Sequence, residues 1–205
     1  MKTSDGRIQL DNYRDYIIKN GRFIGDFEGI YQNIDDPWYH GLAIAIQYDL
    51  ILLLLKRYSI CKDGGSVLDI GCGKGAFTAR IKKTLPSCSV TGVDISPTAI
   101  RYAKKTYGPQ GIKFDTPDIQ ERYSTLDCRN DLIIISQIAW YILQKIREIL
   151  DYLVEQALAP DGYLLIGQAF YKPEEQTYGK EIFSTIKDLV GFIKIPRLNL
   201  LDPTG

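Results

Sequence analysis

The sequence is poor in the residues that usually carry metal or disulfide chemistry. It has one histidine, His40, and its four cysteines, at positions 61, 72, 88 and 128, form no CxxC pair. The stretch 132–147 lacks acidic residues and so offers no carboxylate cluster to a metal ion. We therefore expect no metal site. With no signal-peptide pattern, the cysteines are expected to be reduced thiols in a cytoplasmic protein.

Excess charge and long apolar runs are also missing. The charges of the 25 basic and 25 acidic residues cancel, which argues against electrostatic binding to nucleic acid or to an anionic membrane. The most apolar run, LILLLL at 50–55, is far shorter than a membrane span and is expected to be one buried face of a helix. We expect neither nucleic acid nor membrane as a partner.

The first 60 residues differ from the rest, although we expect one domain over 1–205. Residues 1–60 are rich in aromatics and hold no convincing strand, which predicts a helical N-terminal cap. Its clearest helix should span 41–58. The apolar positions expected to face the core are Leu42, Ala45, Ile46, Ile51, Leu54 and Leu55.

Residues 61–205 alternate between apolar strands and helices. Strands are predicted at 66–70, 89–95, 111–114, 131–136 and 163–170, and helices at 76–85, 97–107 and 144–159. This order indicates an α/β fold: a doubly wound, mostly parallel Rossmann-like sheet with helices on both faces.

Two further elements are predicted after the fifth strand. They are a helix over 180–190 and one strand over 192–201, and Pro196 places that strand at an edge or a bulge.

A glycine loop follows the first strand in VLDIGCGKGAFT, residues 67–78. Gly71, Gly73 and Gly75 permit positive φ values and close approach, and the helix that begins near Ala76 points its N–H groups at the same place. In a doubly wound sheet the ligand lies at this edge. The loop therefore predicts a nucleotide-like ligand with an anionic group.

Two acids follow the neighbouring strands. Asp94 ends the second strand, where a carboxylate can accept both hydroxyls of a ribose, or can cap a helix. Asp118 follows the third strand in DTPDIQ, where it can meet an adenine amino group or be an ordinary loop acid.

Two cofactors fit this pattern. GCGKGA, residues 71–76, satisfies the GxGxxG form of nicotinamide dinucleotide sites with alanine last, and Tyr141 with Lys145 provides a Tyr-x-x-x-Lys spacing. S-adenosyl-L-methionine (SAM) has no phosphate and carries an ammonium group, which suits the acid Asp69 before the glycines. The residues alone leave both alternatives open.

Three motifs in order, VLDIGCGKGAFT, VTGVDIS and FDTPDIQE, resemble the class I SAM-dependent methyltransferases over roughly 60–170. The resemblance implies a seven-stranded sheet with an antiparallel last hairpin. Because the segment after the fifth strand is short for that hairpin, we expect the closing hairpin to be incomplete, through truncation or because a partner chain supplies the last strand. The exposed edge would then favour self-association.

The same resemblance places the methionine part at Asp69 and the glycine loop, the ribose at Asp94, the adenine at Asp118 and the methyl group at Ser136–Gln137. The implied cofactor-binding residues are Asp69, Gly71, Cys72, Gly73, Gly75, Asp94, Ile95, Asp118, Ile119, Ser136 and Gln137.

The methyl acceptor is less clear from the sequence. The loop SQIAWYIL is not similar to the NPPY or DPPY loop of enzymes that methylate base amines, which argues against DNA. The run DDPW at 35–38 resembles the nodulation N-methyltransferases, which act on the amino sugar of chitin-like oligosaccharides. Candidate substrate-stacking aromatics are Tyr31, Trp38, Trp140 and Tyr141, which can instead be packing residues.

The predicted function is SAM-dependent methyl transfer to a small-molecule acceptor, such as the amine or hydroxyl of a sugar or glycan unit. His40 is the candidate general base, with a structural role as its alternative, and Glu28 is a carboxylate that could take the proton of an amine. The rival functions are a nicotinamide-dependent oxidoreductase and a catalytically inactive SAM-binding or interaction domain.

Overall fold

The computed structural model describes residues 13–19, 22–38, 43–117, 119, 129–169 and 185–192. The N-terminal part is mostly helical, as predicted, but it also holds a short antiparallel strand pair, β1 with β2, which the sequence did not predict. Its elements are α1 (Arg14–Ile17), β1 (Ile18–Lys19), β2 (Arg22–Phe23), α2 (Phe27–Asn33) and α3 (Ala43–Arg57).

A five-stranded parallel sheet forms the centre of the described structure. Its strands are β3 (Ser66–Ile70), β4 (Ser89–Val93), β5 (Ile112–Asp115), β6 (Asn130–Ser136) and β7 (Leu158–Gly167). Their order in the sheet is β5-β4-β3-β6-β7, and every neighbouring pair is parallel. The predicted doubly wound fold is confirmed. The closing antiparallel hairpin falls almost entirely on residues outside the described ranges.

Helices connect the strands at α4 (Ala76–Thr84), α5 (Pro97–Tyr107), α6 (Ile146–Tyr152) and α7 (Ile186–Phe192). Helix α5 begins as predicted: the Ser96 hydroxyl accepts from the Ala99 N–H at 3.1 Å, and Pro97 occupies the first turn, where it needs no N–H donor.

Three predicted boundaries were wrong. The helix expected over 144–159 begins instead as two 3-10 turns, Ala139–Tyr141 and Leu143–Lys145, continues as α6 and ends in a π-helical turn at Leu153–Ala157. Strand β7 then starts at Leu158, well before the predicted position 163, because that residue already pairs with Asn130 of β6. Phe192 ends α7 instead of opening a strand.

The core lies on both faces of the sheet. In β6, Ile133 and Ile135 point into the cluster that includes α6, while Leu132 and Ile134 point into the cluster on the opposite face. A strand buried on both faces must be apolar at successive positions, which explains the run LIII. The described part of the chain contains no helix long and apolar enough to cross a bilayer.

Helix α3 packs on the second cluster through Ile51 and Leu55, which are buried. The prediction that Ile46 also faces the core was wrong, since 73% of this residue is exposed. The side chains of Leu42 and Ala45 lie outside the described residues. Cys61, Cys72 and Cys88 are free thiols, as predicted, and all three are buried.

This topology fixes where a ligand can bind. From β3 the strand order runs to β4 and β5 on one side and to β6 and β7 on the other. The chain therefore diverges at the carboxyl ends of β3 and β6, which leaves the crevice typical of ligand sites in doubly wound sheets.

Candidate functional site

The glycine loop joins β3 to α4 at this crevice. Gly71, Gly73 and Gly75 have φ values of +78°, +53° and +84°, a region in which side chains other than glycine are strained. A Cβ on Gly73 would lie 2.5 Å from the Tyr31 hydroxyl, and one on Gly71 would collide with the side chain of Ile138. The sequence predicted that the missing side chains make room for a ligand. In the structure Tyr31 and Ile138 lie in the space beside Gly73 and Gly71, and room for a ligand stays a prediction.

The N–H groups of the loop are already bonded within the chain. The bonds run from Gly71 and Cys72 to the Val93 carbonyl (2.8 and 3.0 Å), from Gly73 to the Asp94 carboxylate (2.9 Å) and from Gly75 to the Cys72 carbonyl (3.0 Å). A pyrophosphate site needs free N–H donors at this turn. The N–H groups that the sequence predicted for an anionic group are those at the start of α4, so these four bonds do not test that prediction.

Asp69, the last residue but one of β3, lies directly beneath the loop. It is 2% exposed, and its carboxylate accepts a hydrogen bond from the Thr78 hydroxyl of α4 at 2.6 Å. Burial raises the pKa of Asp69 to about 7, the bond from Thr78 opposes this shift, and the nearby Asp94 adds to it. The site therefore contains a buried acid that a nearby positive charge would stabilise in its ionised form.

Asp94 follows β4 and faces the same loop. Its carboxylate accepts from the backbone N–H of Gly73 and from that of Ser96, each at 2.9 Å. Burial raises the pKa of Asp94, and these two bonds oppose the shift. Asp94 thus joins the glycine loop to the start of α5, and the sequence-predicted pair of acids does converge on one loop.

The other predicted cofactor residues are placed unequally. Ile95 is 40% exposed beside Asp94, and Ile119 is half-buried against the first core cluster. The side chain of Cys72 is buried in the second cluster, so this residue can present only its backbone to a ligand. Asp118 and His40 lie outside the described residues.

An aromatic roof covers the loop. It consists of Tyr13, Phe27, Tyr31, Trp38 and Tyr141. The indole N–H of Trp38 donates to the Tyr31 hydroxyl at 2.7 Å, and the Tyr141 ring lies 5.0 Å from Phe27 and 6.0 Å from Trp38 between centroids. Tyr31 is buried, which raises its pKa well above the ordinary value. The structure brings three of the four predicted substrate aromatics together in this roof.

Trp140, the fourth predicted aromatic, has different contacts. Its indole N–H donates to the Ala169 carbonyl at 3.1 Å, and its ring packs against the core cluster of α6. It therefore joins the end of β7 to the turn after β6.

Hydrogen bonds of Glu28 connect the aromatic roof to the Rossmann-like core. Its carboxylate accepts from the Ser96 hydroxyl (2.5 Å), the Thr98 hydroxyl (2.5 Å) and the Thr98 N–H (3.1 Å) at the start of α5. Burial alone would raise the pKa of Glu28, but these bonds and one from Gln32 together lower it to about 2. A carboxylate with so low a pKa and with Ser96 and Thr98 already bonded to it is a weak base, which argues against the suggestion that Glu28 takes a proton from an amine.

Lys74 provides a second polar connection, between the glycine loop and the N-terminal cap. Its ammonium group donates to the Asp35 carbonyl at 2.6 Å and pairs with the Asp35 carboxylate at 3.2 Å. The DDPW segment therefore touches the glycine loop directly, which the sequence order alone did not reveal.

Ser136 and Gln137 end β6 on the other side of the loop. Ser136 is 8% exposed, and its hydroxyl has no hydrogen-bond partner among the described residues. Gln137 has a φ of +62°, an uncommon conformation for glutamine that clusters at functional sites. Its N–H donates to the Gly167 carbonyl at 2.7 Å.

A chain of three amide side chains, Gln47, Gln137 and Gln168, spans this end of the sheet. The Gln137 amide nitrogen donates to the Gln47 oxygen of α3. The Gln137 oxygen accepts from the Ala169 N–H at 3.2 Å and from the Gln168 amide at 3.4 Å. The Gln168 oxygen in turn accepts from the Ala139 N–H at 3.2 Å.

Sequence reasoning missed Gln47, Thr78 and Gln168. Thr78 was detectable in principle, since it lies in the first turn of α4, where a side chain points back toward the strand that precedes the helix. Gln47 and Gln168 gave no local signal, because their contacts cross from α3 and β7 to the turn after β6. Within the described ranges, no group of three or more His, Cys, Asp or Glu residues is placed to hold a metal ion.

The comparisons with known proteins agree with this geometry. A family described as a methyltransferase domain matches residues 61–188. The chain belongs to this family. The resemblance to SAM-dependent methyltransferases is thereby confirmed, and the five-stranded parallel sheet agrees with it.

Individual relatives are similar to parts of the chain. Nodulation protein S of Bradyrhizobium diazoefficiens is 32% identical over 140 residues, which cover 66% of this chain and 64% of that protein. A malonyl-acyl-carrier-protein O-methyltransferase of Bacillus cereus is 27% identical over 148 residues, 72% of this chain and 50% of that enzyme. The chain thus matches about half to two-thirds of the length of these relatives.

Solved structures give the same fold. The plantazolicin methyltransferase BpumL, in complex with a triazolic desmethylPZN analog and SAH (S-adenosylhomocysteine), has a TM-score of 0.52 and is 26% identical, covering 67% of this chain and 51% of that one. A TehB-like SAM-dependent methyltransferase from Corynebacterium glutamicum has a TM-score of 0.53 at 24% identity, covering 69% of this chain and 77% of that one. The second likeness supports the fold alone.

Proposed function

We propose that this chain is a methyltransferase that uses SAM as methyl donor and a small molecule as acceptor. The observation that carries the proposal is the pair of acids around the glycine loop. Asp69 lies buried beneath the loop, and Asp94 accepts a hydrogen bond from Gly73 within it at 2.9 Å. The family match over 61–188 and the similarity to the SAH-bound methyltransferase BpumL support the same cofactor.

The residues present fit this cofactor better than a nicotinamide dinucleotide. A pyrophosphate would approach N–H groups that are already bonded, above the buried carboxylate of Asp69. A ligand that carries an ammonium group and a sulfonium instead compensates that carboxylate, and the unpartnered hydroxyl of Ser136 offers it a further contact. We therefore prefer SAM to the oxidoreductase alternative.

The proposed roles follow the strand order. Asp69 and the glycine loop hold the methionine end, Asp94 with Ile95 holds the ribose, and Ser136–Gln137 face the methyl group. Asp118 and Ile119 are proposed for the adenine. SAM supplies an electrophilic methyl group on a positively charged sulfur, so this chain's task is to bind, to orient and to exclude water. The roof formed by Tyr31, Trp38 and Tyr141 suits the last of these tasks.

The acceptor is proposed to be the amine or hydroxyl of a sugar or glycan unit. The DDPW segment, the similarity to nodulation protein S and the aromatic roof support it. An amine that arrives uncharged needs little base assistance, which matters because Glu28 is held by Ser96 and Thr98. His40 stays the predicted base for a hydroxyl. We also propose that 1–205 acts as one domain, in which the cap of residues 1–60 covers the core of 61–205.

Asp94→Asn tests the site assignment. The amide can still accept a hydrogen bond from one backbone N–H but cannot hold two ribose hydroxyls as a charged acceptor, so SAM affinity should fall about tenfold or more. Isothermal calorimetry with SAM measures it, and Asp115→Asn, an exposed acid at the end of β5, is the matched control. Unchanged affinity in Asp94→Asn would exclude Asp94 from the cofactor site. Tight binding of NADH instead of SAM would favour the oxidoreductase.

A further inference from the structure

Helix α2 contacts both of the turns that hold the carboxylate of Asp94. One Asp94 oxygen accepts the N–H of Gly73 in the glycine loop, and the other accepts the N–H of Ser96 before α5, each at 2.9 Å. A carboxylate has about four acceptor positions, so each oxygen keeps one for a further donor. The direction of these two open positions depends on where the two turns lie.

Glu28 of α2 fixes the turn that contains Ser96. Its carboxylate accepts the hydroxyl of Ser96 at 2.5 Å, and the hydroxyl and the N–H of Thr98 at 2.5 and 3.1 Å. Because the low pKa of Glu28 keeps its carboxylate ionised at neutral pH, these bonds are charge-assisted and stronger than neutral ones. Glu28 therefore holds the residue whose backbone N–H donates to Asp94.

Tyr31, also on α2, contacts the other turn. Its hydroxyl lies over Gly73, 2.5 Å from the position that a Cβ would occupy there, and accepts the indole N–H of Trp38 at 2.7 Å. Residues three positions apart lie on the same face of a helix. One face of α2 thus presents Glu28 and Tyr31 to the two turns whose N–H groups hold Asp94.

We propose that Glu28 is a positioning residue for the cofactor: by fixing the turn at Ser96, it directs the open acceptor positions of Asp94 toward the two hydroxyls of the ribose. Glu28 acts only through other residues, because its own acceptor positions are occupied by the hydroxyls of Ser96 and Thr98, the N–H of Thr98 and, at 2.8 Å, the amide of Gln32. This inference rests on the proposed function, in which Asp94 binds the ribose. It assigns part of the cofactor affinity to the N-terminal cap.

The negative charge of Glu28 acts in the opposite direction to its position. The charge raises the pKa of Asp94 and so disfavours the ionised acid that accepts the ribose hydroxyls. If the charge alone mattered, a variant without it would bind the cofactor more tightly. If the position of the Ser96 turn matters, the same variant binds the cofactor more weakly.

Calorimetry with two ligands tests the role of Glu28. The ligands are SAH and its 2′,3′-dideoxy analogue, which lacks both ribose hydroxyls. The variants are Glu28→Ala and Glu28→Gln, the second of which keeps the shape and one acceptor oxygen. Asp26→Ala is the matched control, because it removes the N-cap of α2, whose carboxylate accepts the N–H of Gly29 at 2.8 Å, and leaves the bonds to Ser96 in place. Thermal melting by circular dichroism reports whether each variant is folded.

We expect the wild type to bind SAH about tenfold or more tightly than the dideoxy analogue. Glu28→Ala should bind SAH about tenfold more weakly than the wild type does, with a much smaller change for the analogue, and Glu28→Gln should recover part of the loss. The control Asp26→Ala should change the affinity for both ligands by the same factor. If Glu28→Ala does not fold, Glu28→Gln provides the same comparison.

Equal weakening of both ligands by the Glu28 substitution would overturn the inference, because a loss of cap stability acts on both alike. Unchanged or tighter SAH binding would overturn it too. If the wild type binds SAH and the analogue equally well, the ribose assignment of Asp94 fails and the inference fails with it, although the cofactor stands. If the wild type does not bind SAH, the proposed function itself fails.

Discussion

The carboxylate of Glu28 and the hydroxyl of Ser96 lie 2.5 Å apart, although 68 positions separate them in the chain. Ser96 is already the N-cap of α5, so its hydroxyl accepts from Ala99 while it donates to Glu28. Glu28 also accepts the N–H of Thr98. The start of α5 is thus capped from within and by a residue of α2, and Asp94 is bonded to the same turn.

Glu28→Gln should loosen this connection. The amide keeps the shape but loses the charge, and its nitrogen cannot accept the bonds from Ser96 and Thr98. We expect the free energy of unfolding to fall by about 1–2 kcal/mol, in the range of a lost helix cap. Urea unfolding measures it, with the exposed Glu155→Gln as control. The difference should shrink as the pH falls from about 4.5 toward 2, because the lowered pKa of Glu28 makes its contribution disappear over that window. Equal stability of the two variants at neutral pH would contradict the role of this bond.

Asp69→Asn should remove a pH-dependent destabilisation of the cofactor-free chain, which arises when the buried carboxyl group of Asp69 ionises. The pKa of Asp69 is about 7 in the folded chain against an ordinary 3.8, so between these values the folded state binds the extra proton. The stability of the wild type should therefore decrease as the pH rises through that window.

Asparagine cannot ionise, and its oxygen can still accept from Thr78. Between pH 4 and pH 7, the free energy of unfolding of the variant should rise by about 2–4 kcal/mol relative to that of the wild type. Urea titrations at a series of pH values measure this, with Asp161→Asn, an exposed acid, as control. If the free energy of unfolding changed with pH in the same way in Asp69→Asn and in the wild type, the pKa of Asp69 would not be raised in the folded chain, and the prediction would fail.

Gly73→Ala tests the contact between the roof and the loop. Alanine is strained at a φ of +53°, and its Cβ would lie 2.5 Å from the Tyr31 hydroxyl. Gly64→Ala is a matched control, since Gly64 has a φ of +78° but nothing within 4 Å of its Cβ position. We expect a loss of about 1 kcal/mol for the control and about 2–4 kcal/mol for Gly73→Ala in thermal or urea unfolding.

The second substitution Tyr31→Phe should recover part of the loss in Gly73→Ala, because it removes the hydroxyl that the new methyl group meets. It should not help Gly64→Ala. A loss that is the same in Gly73→Ala and Gly64→Ala would show that strain alone acts and that Tyr31 does not rest on the loop.

Much of the fold was predictable where the decisive signals are local. Strand β3 was predicted with its exact bounds, and α4 and α5 to within a residue or two, because an apolar run, three glycines and a Ser-Pro cap stand next to the elements they define. The convergence of Asp69 and Asp94 was also predictable, since parallel neighbouring strands present their carboxyl ends at the same edge.

The wrong predictions also have physical reasons, which lie in contacts that are not local in the sequence. Periodicity predicted a single helix over 144–159, but the chain there begins as 3-10 turns and ends in a π-helical turn where β7 pairs early with β6. Ile46 fits an apolar helix pattern, yet the sheet contacts α3 through Ile51 and Leu55. A helix can carry more apolar surface than its neighbour covers, so the pattern did not fix which positions are buried.

The sequence by itself determined where Asp69, the glycine loop and Asp94 lie in the fold, because each of these signals stands within a few residues of the strand end that presents it. Only the tertiary structure decided which distant side chains meet them. Glu28 meets Ser96, Tyr31 rests over Gly73, and Gln137 bonds to Gln47 across 90 positions. These contacts depend on how the N-terminal helices pack on the sheet, and no periodicity in the chain encodes which distant side chains such packing brings together.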